Sequence, residues 1–158
     1  MIVRAAGEAD TQAINALRRQ VKLVHAAGRP DFFSDDFNQQ LEDYLTIFFR
    51  QENAEVFVAE KERRIVGFAC VEYVDRPASP YRMALKYCDV NEFGVDEAHR
   101  RQGIGTALFA FIRARAAEKG FSRIELNMWE FNEGALRFYE SLGFRTYRRY
   151  MEYRMEEG

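Results

Sequence analysis

Most of the residues that mark a specialised class of protein are scarce in this sequence. Two cysteines among 158 residues cannot build a disulfide framework. Both Cys70 and Cys88 sit in apolar, strand-like runs, where cysteine acts as a small buried hydrophobe, so a reduced, intracellular setting is the expectation. Histidine is equally rare: His25 and His99 lie far apart without paired cysteines, which gives no metal-ligand spacing and no Ser-His-Asp or Cys-His arrangement. Neither charge sign prevails, because 23 basic residues stand against 25 acidic ones for a net charge of −2, and no footprint for nucleic acid results. The local cluster Arg145, Arg148 and Arg149 alternates with Tyr147, Tyr150 and Tyr153, as the solvated face of a strand would. The longest uncharged stretch, residues 103–112, falls short of the ~20 residues that span a bilayer. Met1 to Glu8 contains no apolar core of signal-peptide length, so a cytoplasmic protein without membrane contact is expected.

Prolines are few and placed at boundaries. Pro30 ends a helix that Asp10 or Thr11 can cap and on which Ile14, Leu17, Val21 and Val24 share a face. His25 lies on that helix, either at its surface or facing a cleft. Pro77 and Pro80 interrupt a run of strands, since proline cannot join a ladder. Between them, Ser34 is the expected cap of a second helix with Phe37, Leu41, Tyr44, Leu45 and Phe48 at helical spacing. Phe32, Phe33, Phe37 and Tyr44 near the join of the two helices read either as core or as the wall of a substrate cleft.

Strands are expected at residues 2–5, 56–60, 65–73 and from about Ala84 through Val95, the second and third joined as a hairpin by the charged turn at 61–64. Ile124 to Trp129 is a further strand, parallel to its neighbour because a helix intervenes. Asn132 caps a short helix that Gly143 stops, and Phe144 to Met155 reads as one or two closing strands. No repeat, low-complexity tract or linker is visible. Residues 1–158 therefore read as one α/β domain with a mixed, largely antiparallel central sheet and flanking helices, in the order β–αα–βββ–α–β–α–β.

Chemistry concentrates after the central strand. Gly103 and Gly105 open a helix whose buried face carries Ile104, Ala107, Leu108, Phe111 and Ile112, and a glycine-flanked helix start presents its N–H groups to a phosphate. A dinucleotide fingerprint is excluded by the missing third glycine and by the charged turn after the strand; a P-loop is excluded because no Gly-Lys-Ser/Thr follows. Arg100-Arg101-Gln102-Gly103-Ile104-Gly105 instead resembles the Arg/Gln-x-x-Gly-x-Gly/Ala motif of the GCN5-related N-acetyltransferase (GNAT) family. Asn132, Ala135, Phe138, Tyr139, Gly143 and Phe144 resemble the same family's Asn-x-x-Ala-x-x-Phe-Tyr-x-x-x-Gly-Phe pattern. The likeness extends over roughly residues 57–144.

This resemblance implies an acyl-CoA N-acyltransferase fold and transfer of the acetyl group of acetyl-CoA to a primary amine by direct attack in a ternary complex, with no metal. It assigns coenzyme binding to Phe93, Val95, Arg100, Arg101, Gln102, Gly103, Ile104, Gly105, Thr106, Asn132 and Tyr139. Glu92 is implied as the base that takes the amine proton, with Asn91 beside it where other members carry that group, and Tyr139 as the acid toward the departing thiolate. Carbonyl polarisation is implied at a bulge of the central strand, for which Gly94 is suited. Phe32, Phe33, Tyr44 and Trp129 are the candidate acceptor contacts. The acceptor is a small-molecule or protein amine, and the Tyr- and Met-rich segment 147–155 offers an edge for a homodimer. A rival reading keeps the fold and coenzyme site as a non-catalytic acyl-CoA sensor or structural module.

Overall fold

The computed structural model describes residues 1–156, which fall into two compact units, 1–127 and the described residues from 128 onward. The first contains strand β1 (Ile2–Ala5), helices α1 (Thr11–Gly28) and α2 (Gln39–Phe49), the strands β2 (Ala54–Lys61), β3 (Arg64–Arg76) and β4 (Leu85–Val95), helix α3 (Ile104–Glu118) and strand β5 (Ile124–Leu126). The sheet runs in the order β1-β2-β3-β4-β5; all pairs are antiparallel except the last.

Period-two alternation in the strands sorts their side chains between two helical layers. Val56, Val58, Phe68 and Cys70 face Ile14 and Leu17 of α1 and Leu45 and Phe48 of α2. Phe57, Ala59, Val66, Val71, Cys88 and Val90 face Ile104, Leu108, Ile112 and Ala116 of α3. Strands β2 and β3 are thus buried on both faces, which explains why they read as nearly continuous apolar runs. No described helix is long and apolar enough to cross a membrane.

Several local expectations need correction. Helix α2 begins at Gln39, not near Ser34: Asn38 is its cap, its side chain accepting from the Leu41 N–H at 3.1 Å, while Phe37 lies outside the helix with its ring over Arg18 and Arg19. Asp10 precedes α1 but makes no side-chain cap, because its carboxylate is occupied by Arg4 and the Gly7 N–H. Val24 is exposed; Arg18 and Asn15 are buried on α1 instead. The bulge in β4 falls at Asn91, the residue skipped between the Val71–Val90 and Cys70–Glu92 pairs, and not at Gly94. Gly94 answers to packing: a Cβ there would stand 2.7 Å from Phe68 Cε1 and 2.8 Å from Val21 Cγ2.

The second unit holds helix α4 (Glu133–Ser141), capped by the Asn132 side chain and ended at Gly143 with φ of +102°. Residues 144–156 carry no helix or strand, where one or two strands are expected from the sequence, and β5 stops at Leu126 rather than Trp129. An alternating pattern makes a strand only when a ladder partner is present, and within this unit α4 is the one regular element among the described residues.

Candidate functional site

The loop from β4 into α3 is pinned at its base. The Asp96 N–H donates to Val66 O at 2.8 Å, Gln20 Nε2 donates to Asp96 Oδ1 at 3.0 Å, and Gln20 Oε1 accepts from the Glu97 N–H at 3.0 Å. His99 is half-buried, with Nδ1 2.8 Å from Asp96 Oδ2. The Gln20 amide and His99 together hold the Asp96 carboxyl below its ordinary range.

Above that base the loop adopts left-handed backbone at Arg101 (φ 62°) and Gly103 (φ 79°). Left-handed conformation is costly for arginine and free for glycine, and alternation of this kind turns successive N–H groups toward one side. Gly103 is the N-cap of α3 and lends no side-chain acceptor to the first turn, so those N–H groups are presented outward at the positive end of a fifteen-residue helix. Arg100, Arg101, Gln102 and Thr106 are exposed around them; Ile104 is buried in the core and offers only its backbone. Phe93 and Val95, paired with β3, likewise pack their side chains toward α3. Lys61, on the β2–β3 turn, donates to Gln102 Oε1 at 2.8 Å and places a cation beside the loop.

Strand β4 outruns its parallel neighbour. The β4–β5 ladder ends at Val90–Leu126, while β4 continues to Val95 paired with β3. Within that continuation Glu92 projects toward α1, and Arg18 grips its carboxylate with Nε 2.8 Å from Oε2 and Nη2 3.2 Å from Oε1. Arg18 is only 4% exposed; Nη1 donates to Asn15 Oδ1 at 2.9 Å and to Leu41 O at 2.6 Å, and the guanidinium lies over the rings of Phe37 and Tyr44. Cys70 Sγ stands 3.8 Å from Glu92 Oε2, and burial followed by the Glu92 charge pushes the Cys70 thiol well up. Asn91, beside it on the bulge, donates to Glu72.

Tyr44 and His25 both sense the Glu92 charge. Burial and then Glu92 raise the Tyr44 phenol; burial and Lys22 lower His25, which Glu92 opposes. His25 is stacked on Phe33 at 5.2 Å, and Lys22 lies over the same ring. These aromatics are not core: Phe32 is 66% and Tyr44 41% exposed. Phe33 and Tyr44 share the α1 side of the sheet with Glu92, whereas Phe32 turns outward toward Arg29. One strand-pair earlier, Glu72, Asp89 and Glu125 stand opposite one another across β3, β4 and β5, and burial together with its two neighbours pushes Asp89 up to about 6.

In the second unit, Asn132 Oδ1 accepts from the Ala135 N–H at 3.1 Å, so its amide N–H groups remain as donors to a ligand. Tyr139 lies two helical turns further along α4, against Phe138 and Phe144, and burial raises its phenol to about 12. Trp129 stacks near Phe131, with centroids 6.4 Å apart.

Reasoning from sequence alone misses Arg18, Asn15, Gln20 and Lys61. For Arg18 a signal existed, because an arginine between Leu17 and Val21 at i+4 from Ile14 occupies the edge of an otherwise apolar stripe. Gln20 and Lys61 carry no such mark; only the fold brings them to the loop.

A model of the acetyltransferase (GNAT) family matches residues 22–144. The chain is 29% identical over 105 residues to human N-acetyltransferase 8, across 66% of this chain and 44% of that protein, so it spans less than half the length of this curated relative. Among solved structures, a tetramutant of the BH1408 protein from Bacillus halodurans superposes with a TM-score of 0.94 at 30% identity, covering 98% of this chain and 100% of that one. The aminoglycoside N-acetyltransferase AAC(6')-Iy, solved in complex with CoA, has a TM-score of 0.73 at 15% identity over 98% of this chain and 99% of its own, a likeness of fold alone.

Proposed function

This chain belongs to the acetyltransferase (GNAT) family, and we propose that it transfers the acetyl group of acetyl-CoA to a primary amine by direct attack. The observation that carries the reading is that a loop presenting the N–H groups of a helix start follows β4, and that a fixed carboxylate, Glu92, stands on the strand a few residues earlier. A site of this kind can hold a phosphorylated donor while a proton is removed close by. The donor set fits coenzyme A: the N–H groups from Arg101 to Thr106 suit a pyrophosphate, and no bound metal is needed to neutralise it when Arg100, Arg101 and Lys61 are at hand.

An aliphatic amine is protonated at neutral pH, with an ordinary pKa near ~10. Glu92, directly or through one water, takes the proton that the attacking nitrogen gives up. Backbone N–H groups on the edge of β4 beyond Val90 stabilise the negative charge that develops on the carbonyl oxygen. Tyr139 serves the leaving sulfur. A phenol raised to about 12 stays protonated throughout the working range, and it is a weaker acid than a thiol near ~8.5, so its contribution is a hydrogen bond that follows the charge onto sulfur rather than a completed transfer ahead of it. Tyr139→Phe keeps the ring and removes the hydroxyl; turnover is expected to fall ~10²–10⁴-fold with coenzyme A affinity unchanged.

Free thiol released from acetyl-CoA over a panel of small amines and amine-bearing peptides tests the function itself. Amine-dependent release is expected. Tight coenzyme binding with no release for any amine would leave an acyl-CoA sensor as the correct description.

A further inference from the structure

Arg18 is a charged residue in a place where the fold asks only for an apolar one. It follows Ile14 and Leu17 on α1 and precedes Val21, all of which pack onto the sheet, and its burial takes a full positive charge out of water. Each guanidinium nitrogen is engaged: Nε and Nη2 on Glu92, Nη1 on Asn15 and Leu41 O. Phe37 and Tyr44 close over it at 5.4 and 5.7 Å. Such a fork holds a carboxylate plane in one orientation, which a lysine could not do.

The two oxygens of Glu92 are not equivalent. Oε2 receives Arg18 Nε and the Cys70 thiol, whereas Oε1 receives Arg18 Nη2. A carboxylate oxygen has two lone-pair directions, so Oε1 keeps one of them open. Glu92 is half-buried, with its outer side reachable from solvent.

We propose that Arg18 is the positioning residue for acetyl transfer, fixing Glu92 so that Oε1 is the atom that receives the proton of the acceptor amine. This rests on the acetyltransferase reading above. In the step, the amine lone pair forms the new N–C bond, the C–S bond breaks with its electron pair going to sulfur, and the proton leaving nitrogen passes to Oε1. Arg18 touches neither reactant; it acts through Glu92.

The groups that interact with Glu92 are Arg18 and His25 from α1, Tyr44 from α2 and Cys70 from β3, while Lys22 acts on His25 and Glu72 on Tyr44. Among the described residues, Arg18 is the one cation in direct contact with Glu92. Its removal takes away that positive partner and leaves the carboxylate beside a buried thiol, which disfavours its negative charge.

The test measures kcat/KM against pH for the wild-type chain, Arg18→Met and Arg18→Lys, with coenzyme A affinity by calorimetry and thermal unfolding on each. Arg18→Met is expected to lose ~10- to 100-fold in kcat, as for a misplaced catalytic group, with coenzyme A affinity unchanged and the acid limb of the profile moved to higher pH. Arg18→Lys should restore the limb but only part of the rate, since it returns the charge without the fork. In a Glu92→Gln background, Arg18→Met should add no further loss. A lower melting temperature with an unmoved limb and additive rate losses would mean a merely structural arginine and would overturn the proposal. If Arg18→Met does not fold, the split between limb and rate in Arg18→Lys decides. A wild-type chain that acetylates no amine overturns the acetyltransferase reading and this proposal together, whereas transfer with an unmoved limb overturns this proposal alone.

Discussion

Beyond the end of β4 the loop over residues 101–106 presents backbone N–H groups at a helix start, whereas on the strand itself Glu92 presents a carboxylate held by Arg18, which Asn15 steadies, beside Cys70. The first region depends on φ angles. Its essential residues are glycine and a short helix start, and their side chains are exposed or turned into the core. The second depends on contacts between residues 74 positions apart, chiefly a buried arginine and a half-buried glutamate. A backbone site is tolerant of what surrounds it and intolerant of one substitution at a left-handed position; a side-chain site is the reverse.

Gly103→Asp should give the larger break in the comparison. Left-handed backbone strains any L side chain by ~1–3 kcal/mol, and a carboxylate repels the pyrophosphate in addition, so coenzyme A affinity measured by calorimetry should fall ~10²-fold or more in a folded protein. No atom lies within 4 Å of the added Cβ, so the loss is one of backbone angle and charge, not of packing.

Gly94→Ala probes the ground between the two regions and should act through packing alone. The new methyl meets Phe68 and Val21 at under 3 Å, an overpacking that costs ~1–3 kcal/mol of stability in thermal or denaturant unfolding. Because Val21 sits one turn from Arg18, some loss of rate should accompany it while coenzyme A affinity changes little.

Asp89→Asn gives the smallest effect and sharpens the electrostatic side. Burial, Glu72 and Glu125 raise the Asp89 carboxyl to about 6 in the folded chain. A raised acid favours folding while it is protonated, and that contribution fades as pH climbs through about 6. Above that pH the amide should therefore be the more stable form, by ~1 kcal/mol once solvent screening of a half-buried group is allowed for. Below pH 4 the two proteins should unfold at nearly the same temperature.

These two regions also differ in how far the sequence reveals them. The β2–β3 hairpin, the caps at Asn132 and Gly143 and the glycine-flanked start of α3 are local: each follows from residues within one or two turns of each other, and the structure reproduces them. The grip of Arg18 on Glu92 is not local, and nothing near Glu92 in the chain announces it. Ser34 was a reasonable helix cap by residue type, yet Asn38 competes better because Phe37 is drawn onto Arg18 and Arg19. Gly94 shows the same limit: a glycine in a strand suggests a bulge, but only the packed partners reveal that Phe68 and Val21 need the space. Asn91, which carries the bulge, has no special backbone requirement that a reader of the chain could see.

The division of labour along β4 is tested most directly by measuring coenzyme A affinity and amine-dependent thiol release side by side in Gly103→Asp and Glu92→Gln. Glu92→Gln should bind coenzyme A as the wild type does and lose turnover ~10²–10⁴-fold, most severely at lower pH where fewer amines are already neutral, and recovering in part as pH rises. Gly103→Asp should lose affinity first and, at saturating acetyl-CoA, recover much of its rate. A Glu92→Gln protein that turns over at the wild-type rate across the pH range, or that fails to bind coenzyme A, would contradict the account.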